Sequence, residues 1–548
     1  MSVVTAWVKP PHQITGQDHL GVRVPCESIY KQLLPGITNV TDRARYYSFY
    51  PWLLRAFEQH QGKLKRQPFF HTLRRADCLF TLIAAWHDLN IGKSPRLHNS
   101  MIGAETLFPA AAVLLEGGSL RLSQYATTDE TGQRYFKNPH GGLGQYYLGS
   151  LREAGLMLGG SRGEEITYTL ERGLVLAQAF DVGVDGGRFF EVLETDKVTA
   201  NLLEELQSFC ACRVTENEPE RRALTDLFFN RPGPFYDKHD GERRRTSLAL
   251  ILNLAMNVEQ SDYRFDAGLF RACAYGGALP GGAAWTLTPT LERYRLGWHH
   301  YHRSELLAMA AQGMFWAGLS ELKERPLELE NSEAYGRWFV ETFADRLSHR
   351  AEESFAEAVA RSKQALPPLA HWEEERHEVQ MGWKASGMAW GKDAPKHRAD
   401  VLELSLNMLL ALAAREEEEL ADASFMPSPQ TFEEHPINLL RFRRHTRETW
   451  KNMSLSELLA WLAARWGLDT HLRVALGKLR YRSEDTFRIR PIEGRLVVKD
   501  APLPSFTNPR LKQALQILQD INALETDAAS GSAYVTPLGY ELLEECDV

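Results

Sequence analysis

The stretch Tyr294-Arg295-Leu296-Gly297-Trp298-His299-His300-Tyr301-His302 gathers an arginine and three histidines. An imidazole can take a proton from a ribose 2′-hydroxyl while a guanidinium holds the charge that develops on the neighbouring phosphate. Arg295 with His300 or His302 has a spacing suited to that chemistry. Packing within a helical bundle competes with it: Leu296 is apolar and Gly297 is a poor helix residue. Adjacent histidines on a helix do not share a face, which argues against a metal held by all three. Asp181, Asp185, Glu191, Glu194, Asp196 and Lys197 form a second group, loosely arranged like the acidic ligands and lysine of a metal-dependent nuclease. Their spacing fits a solvated helix start better. His371 and His377 flank Glu373-Glu374-Glu375 and are expected at the surface. The sequence carries no Gly-rich phosphate loop with Lys-Ser/Thr, no Gly-x-Gly-x-x-Gly and no His-Glu-x-x-His. An enzyme is therefore not the favoured expectation.

The six cysteines are Cys26, Cys78, Cys210, Cys212, Cys273 and Cys546. Only Cys210 and Cys212 lie close together, and no second cysteine pair completes a zinc site, so reduced structural thiols are expected, with no metal and no cofactor. The chain has 548 residues, 44% hydrophobic and 24% charged, with a net charge of −8. That length predicts several domains, and that charge excludes a uniformly basic nucleic-acid coat. The N-terminus lacks a basic region followed by a long apolar run, and no window reaches the length of a membrane span. A cytoplasmic protein with no membrane partner is expected.

Positive charge is concentrated locally. Residues 441–500 hold 14 Lys and Arg against 7 Asp and Glu. Ser454 and Glu457 form a capping box for one helix, Gly467 is expected to end it, and Asp469 or Thr470 to start a second. In Thr486–Pro491, Phe487 and Ile489 alternate with Arg488 and Arg490, which predicts a hairpin strand with guanidiniums on one face. Arg443, Arg444, Arg473, Lys478, Arg480, Arg488 and Arg490 are the candidate phosphate-binding residues. Pairing with glutamates of the middle region is the competing reading.

Two stretches repeat one pattern. Leu151–Met157 is followed by a glycine-rich gap, Ile166–Thr169 and Glu171–Leu176. Leu518–Leu524 is followed by a small-residue gap and Ala533–Leu542. Each reads as a helix, a β-hairpin and a Thr closely followed by Gly at the start of another helix, with the Thr-to-Gly gap one residue longer in the first copy. That order is typical of a winged helix. The expected fold is mainly α and multidomain, a helical core with winged-helix (α+β) modules. The expected boundaries are a helical domain over 1–120, a winged-helix-like module over 121–185 and a helical middle domain over 186–423. A Pro-rich linker at 424–440, a basic helix pair with hairpin at 441–504 and a C-terminal winged helix at 505–548 complete the chain.

The densest local pattern is Leu33-Leu34-Pro35-Gly36-Ile37-Thr38-Asn39-Val40-Thr41-Asp42-Arg43-Ala44-Arg45-Tyr46-Tyr47-Ser48-Phe49-Tyr50-Pro51-Trp52. Pro35-Gly36 makes a turn, Thr41 or Asp42 can cap the helix that follows, and Pro51-Trp52 can kink it. Arginine interleaved with tyrosine can stack bases, and a core stripe with an internally paired Arg is the competing reading. This Leu-Pro-Gly, Arg-x-Arg-Tyr, Pro-Trp box resembles one near the N-terminus of uncharacterised bacterial proteins of anti-phage defence islands. Gly141–Tyr147, Asp485–Pro491 and Asn508-Pro509-Arg510 are similar in style. The resemblance implies a defence setting and no catalytic residues. Separately, Arg295 with His300 resembles the Arg and His signature of HEPN ribonucleases.

The favoured expectation is a nucleic-acid-binding or assembly subunit of an anti-phage system, with nucleic acid (DNA preferred) and other defence subunits as partners. A HEPN-like ribonuclease using Arg295 and His300 is the alternative, and a non-catalytic protein scaffold is the third.

Overall fold

The computed structural model describes residues 18–546 apart from 62–65, 93–97, 99, 131–132, 161–163, 260, 262, 348–349, 416–424, 426–432, 483–484 and 528–530. The acidic run Glu416–Glu419 and residues 424 and 426–432 of the Pro-rich linker thus lie outside the described residues. The protein is mainly helical. Its sheets, among the described residues, are four two-stranded antiparallel ones. No helix there is long and apolar enough to cross a membrane. The chain divides by its contacts into two compact units. One comprises Lys31–Phe270, Leu287–Tyr294 and Asn508–Val548. The other comprises Met1–Tyr30, Arg271–Thr286 and Arg295–Thr507.

The first unit is built on the helices Arg45–Gln61 and Arg66–Ile91. Phe49 stacks on Phe80 at 4.3 Å, and Trp52 packs among Phe180, Phe189 and Phe209. Pro51 sits inside the first helix, which runs on past it. Neither Thr41 nor Asp42 caps that helix. Thr41 Oγ1 instead donates to Thr38 O and accepts from Thr38 N, closing a turn. The carboxylate that meets the helix start comes from Asp520, which accepts from Ala44 N at 2.9 Å. Such a charge is favoured at the positive end of the helix dipole. Asp77, on the Arg66–Ile91 helix, accepts from Tyr50, Tyr135 and Gly142 N and so ties the Asn138–Gly144 turn to the core.

Both copies of the repeated pattern lie in this unit and match at atomic level. The first runs helix Leu148–Glu153, strands Met157–Leu158 and Thr167–Tyr168, helix Gly173–Asp181. The second runs helix Leu511–Asp520, strands Leu524–Thr526 and Ala533–Val535, helix Pro537–Glu544. The hairpins share a register, with Met157 opposite Tyr168 and Leu524 opposite Val535. In each copy the first helix gives way to a left-handed residue, Gly155 (φ 72°) or Asn522 (φ 64°). A threonine hydroxyl then donates to that residue's carbonyl: Thr169 to Gly155 O at 2.7 Å, Thr536 to Asn522 O at 2.6 Å. The same hydroxyl accepts the N–H of Gly173 or Gly539 and starts the second helix.

In the second unit the helix Pro289–Glu324 carries Arg295–Glu324, and Arg398–Ala414 is apolar on nearly every side. The capping box of Ser454 and Glu457 forms in both directions. Gly467 does not end that helix. The backbone continues through a wider π-helical stretch, Leu462–Asp469, into Thr470–Arg482 without a turn. The expected pair is thus one long helical run. The hairpin forms as Ile489–Ile492 against Arg495–Val498 around Glu493-Gly494, both with positive φ.

The threonine latch explains why glycine follows it. A Cβ on Gly173 would lie 2.2 Å from Leu156 O, and one on Gly539 2.2 Å from Ala523 O. Gly173→Ala and Gly539→Ala are each expected to cost about 1–3 kcal/mol, through forced backbone shifts. Gly149→Ala, in open space on the first module's helix, should be neutral or slightly stabilising. Urea midpoints at constant m-value read the difference. Equal midpoints for Gly539→Ala and Gly149→Ala would refute the latch.

Candidate nucleic-acid interface and a His/Cys cluster

The seven basic candidates do not share one exposed face. Arg444, Arg473, Arg480 and Arg490 are exposed. Arg443 and Lys478 are half-buried, and Lys478 Nζ donates to Asp18 O at 2.6 Å. Arg488 is buried. Its guanidinium pairs with Asp500 at 2.8 Å and its N–H donates to His471 Nε2. Backbone pairing still reaches Arg488, whose O accepts Lys499 N at 2.7 Å, but its side chain is buried against Asp500 while Arg490 is exposed. Arg490 lies 3.7 Å from Asp485, and Arg444 pairs with Glu448. The competing reading, pairing with middle-region acids, holds for Arg465 with Glu333 and Arg495 with Glu328.

Arg473 differs from these. It makes no ion pair among the described residues, and burial together with the charge of Arg441 holds its guanidinium below the usual range. Arg441 and Arg444 likewise act, after burial, to lower His445, whose ring stacks on Trp450 at 5.0 Å. Arg441 thus acts on both His445 and Arg473, and His445 joins the aromatic cluster of Trp450, Trp461 and Trp466.

Arg295 and His300 are both buried, on the helix Pro289–Glu324. Arg295 Nη1 donates to Ala274 O at 2.7 Å. Five residues apart on a helix is about 140° around the axis, so the two side chains leave on different sides. His299 Nδ1 donates to Tyr275 O, and His302 is fully buried beside the rings of Tyr275 and Phe506. His377, expected at the surface, is buried and accepts Val379 N at the start of its own helix. His371 is exposed. Asp185 caps the helix Gly186–Thr195, and Asp181 accepts from Trp52 and Arg55. These acids hold the fold together.

The tyrosines of the N-terminal box are core, as is Arg45. Arg45 Nε and Nη2 bind Glu220 at 3.2 and 2.9 Å, and its third arm donates to Cys210 O. Glu220 also accepts from Ser48 Oγ at 2.6 Å and Asn217 Nδ2 at 3.2 Å. Each oxygen thus receives two donors. Arg43 makes the parallel arrangement with Asp520, joined by Ala44 N and Gln516.

Arg45 leads to a group the sequence search missed. His87, His98, Cys210 and Cys212 place one ligand atom each within 4.8 Å of one another. Cys210 Sγ lies 3.1 Å from His98 Nε2 and 3.3 Å from His87 Nδ1, Cys212 Sγ lies 3.3 Å from His87 Nδ1, and the sulfurs are 3.5 Å apart. His98 Nδ1 meets Asp88 at 2.6 Å. The Cys210 thiol's hydrogen bond, against burial and with help from His98, pulls Cys212 down to about 3, while burial pushes Cys210 well up. The sequence has no second cysteine pair, and the residues that meet Cys210 and Cys212 are histidines: His87 near the end of the Arg66–Ile91 helix and His98 eleven residues on. Compared with protein-family models, with curated proteins and with solved structures, the chain finds no match in any of the three.

Removing one partner of a buried ion pair strands the other charge. Glu220→Ala is expected to cost about 3–5 kcal/mol in chemical denaturation. Arg45→Ala combined with it should cost clearly less than the sum of the singles. Additive losses would show that the two groups do not act as a pair.

Proposed function

We propose that the protein is a recognition subunit that binds nucleic-acid phosphates, DNA in the first instance, through Arg441, Arg444 and Arg473. The observation that carries this reading is Arg473: an exposed side chain that makes no ion pair among the described residues, lowered first by partial burial and then by the charge of Arg441. Like charges side by side repel. A phosphate backbone relieves that repulsion and gains from counterion release. Arginine also stacks on bases and binds phosphate oxygens through a planar fork.

In this reading the two helix–hairpin–helix copies are winged-helix modules that grip partner subunits. The setting is the anti-phage defence that the N-terminal box suggests. Burial of Arg295 and His300 on different sides of their helix favours binding over a HEPN-type ribonuclease. A scaffold without nucleic acid is the remaining alternative, and the salt dependence of binding separates it.

Fluorescence anisotropy with a labelled random-sequence duplex, at two or more salt concentrations, is the test. Wild type should bind with a clear negative slope of log K against log salt. Arg441→Glu with Arg473→Glu should weaken binding about tenfold or more at low salt and reduce the slope by about 2, since each phosphate contact contributes about 0.9. Arg488→Glu, which removes a buried partner of Asp500, should change thermal stability more than slope. Unchanged affinity and slope in the double variant, or no duplex binding by wild type, would overturn the reading.

A further inference from the structure

We propose that His87 Nδ1, His98 Nε2, Cys210 Sγ and Cys212 Sγ bind one zinc ion, as a closed structural site that staples the end of the Arg66–Ile91 helix to the Cys210–Cys212 turn. This goes beyond the nucleic-acid reading and does not depend on it.

Three observations converge. The first is geometric. Zinc bonds of about 2.3 Å to sulfur and 2.0–2.1 Å to nitrogen make tetrahedron edges of roughly 3.3–3.8 Å. Four of the separations, 3.1–3.5 Å, need a small outward adjustment to reach them, and all six lie within 4.8 Å. The second is the choice of atoms. Asp88 accepts the Nδ1 hydrogen of His98 at 2.6 Å and leaves Nε2 facing the sulfurs. A carboxylate behind a histidine is the usual way to fix the tautomer of a metal ligand and raise its basicity. Asp88 follows His87 directly, so one helix end supplies both a ligand and the group that orients another. The third is support of the loop. Arg45 donates to Cys210 O, and Arg213 N donates to the same carbonyl at 2.9 Å. Phe209, just before, is locked in the aromatic core against Phe189 at 4.4 Å. The turn is therefore held in place independently of any ion.

The charge balance suits zinc. Two thiolates cancel the dication, and two neutral imidazoles complete the shell. Binding displaces the thiol protons, and any proton on the ligating nitrogens, to solvent. Cys210 and His98 are buried while His87 and Cys212 are partly exposed, which leaves an edge for the ion to enter. Four protein ligands leave no open position, so the site holds structure and does not activate water.

The test uses the full chain, free of any histidine tag and kept reduced. Elemental analysis should find one zinc per chain after dialysis against zinc-free buffer. Cobalt replacement should give the visible bands of a tetrahedral ion and a thiolate-to-cobalt charge-transfer band. Strong chelation should lower the melting temperature by about 5 °C or more. Cys212→Ser should lose zinc and the charge-transfer intensity, whereas Cys546→Ser should keep both. Should Cys212→Ser fail to fold, the wild-type cobalt spectrum still decides. Wild type that takes up neither metal, a Cys210–Cys212 disulfide in the isolated protein without zinc, or Cys212→Ser that retains full zinc would each overturn the proposal. Loss of zinc with duplex binding unchanged would leave the nucleic-acid reading intact, and the reverse result would leave this one.

Discussion

Everything in the first unit turns on burying the two arginines of one short box without leaving a charge unmatched. Arg45 and Glu220 are both fully buried. Taking two such ions out of water costs several kcal/mol each, and attraction repays it only when geometry is good and every remaining lone pair is filled. Here both conditions hold. The guanidinium and carboxylate meet along two parallel contacts, and Ser48 and Asn217 fill the remaining carboxylate sites. Arg43 and Asp520 repeat the solution on the other side of the helix start. One pair fixes the turn that bears Cys210. The other fixes the helix of the second repeat. A weakly packed box would leave both uncertain, so the buried aromatic stripe that follows the arginines, Tyr46 to Trp52, serves chiefly to keep water out.

Local chemistry was legible in the sequence where partners are neighbours. The Ser454 and Glu457 box, the Glu493-Gly494 turn and the repeated threonine-to-glycine latch all involve residues within a few positions, and all form. The order helix, hairpin, helix could be read twice for the same reason. What could not be read is distant pairing. Asp520 is 477 residues from Arg43, Glu220 is 175 from Arg45, and Cys210 is 123 from His87. No periodicity in the chain carries such information.

Some local expectations failed as well. A glycine stops a helix when it takes the left-handed conformation. Gly467 has no positive φ and lies within a π-helical stretch, where the wider turn accommodates it. Arg488 does pair across the hairpin, through Lys499 N on its O, yet its side chain is buried on Asp500, a partner twelve residues on that alternation alone does not specify.

The same distinction bears on how the two candidate sites differ. The His/Cys cluster is defined by buried atoms whose neighbours leave them little freedom: Asp88 orients one ring, Arg45 and Arg213 hold the turn, and the aromatic core fixes its approach. Such preorganisation is what a closed site needs, because ligands already in place lose little entropy when an ion arrives. The arginine cluster is the opposite case. Arg444 and Arg473 are exposed on helices, and in the proposed reading such side chains turn toward phosphates and position a duplex without reading its sequence. The two proposed sites make opposite demands, fixed ligands for an ion and adjustable side chains for phosphates.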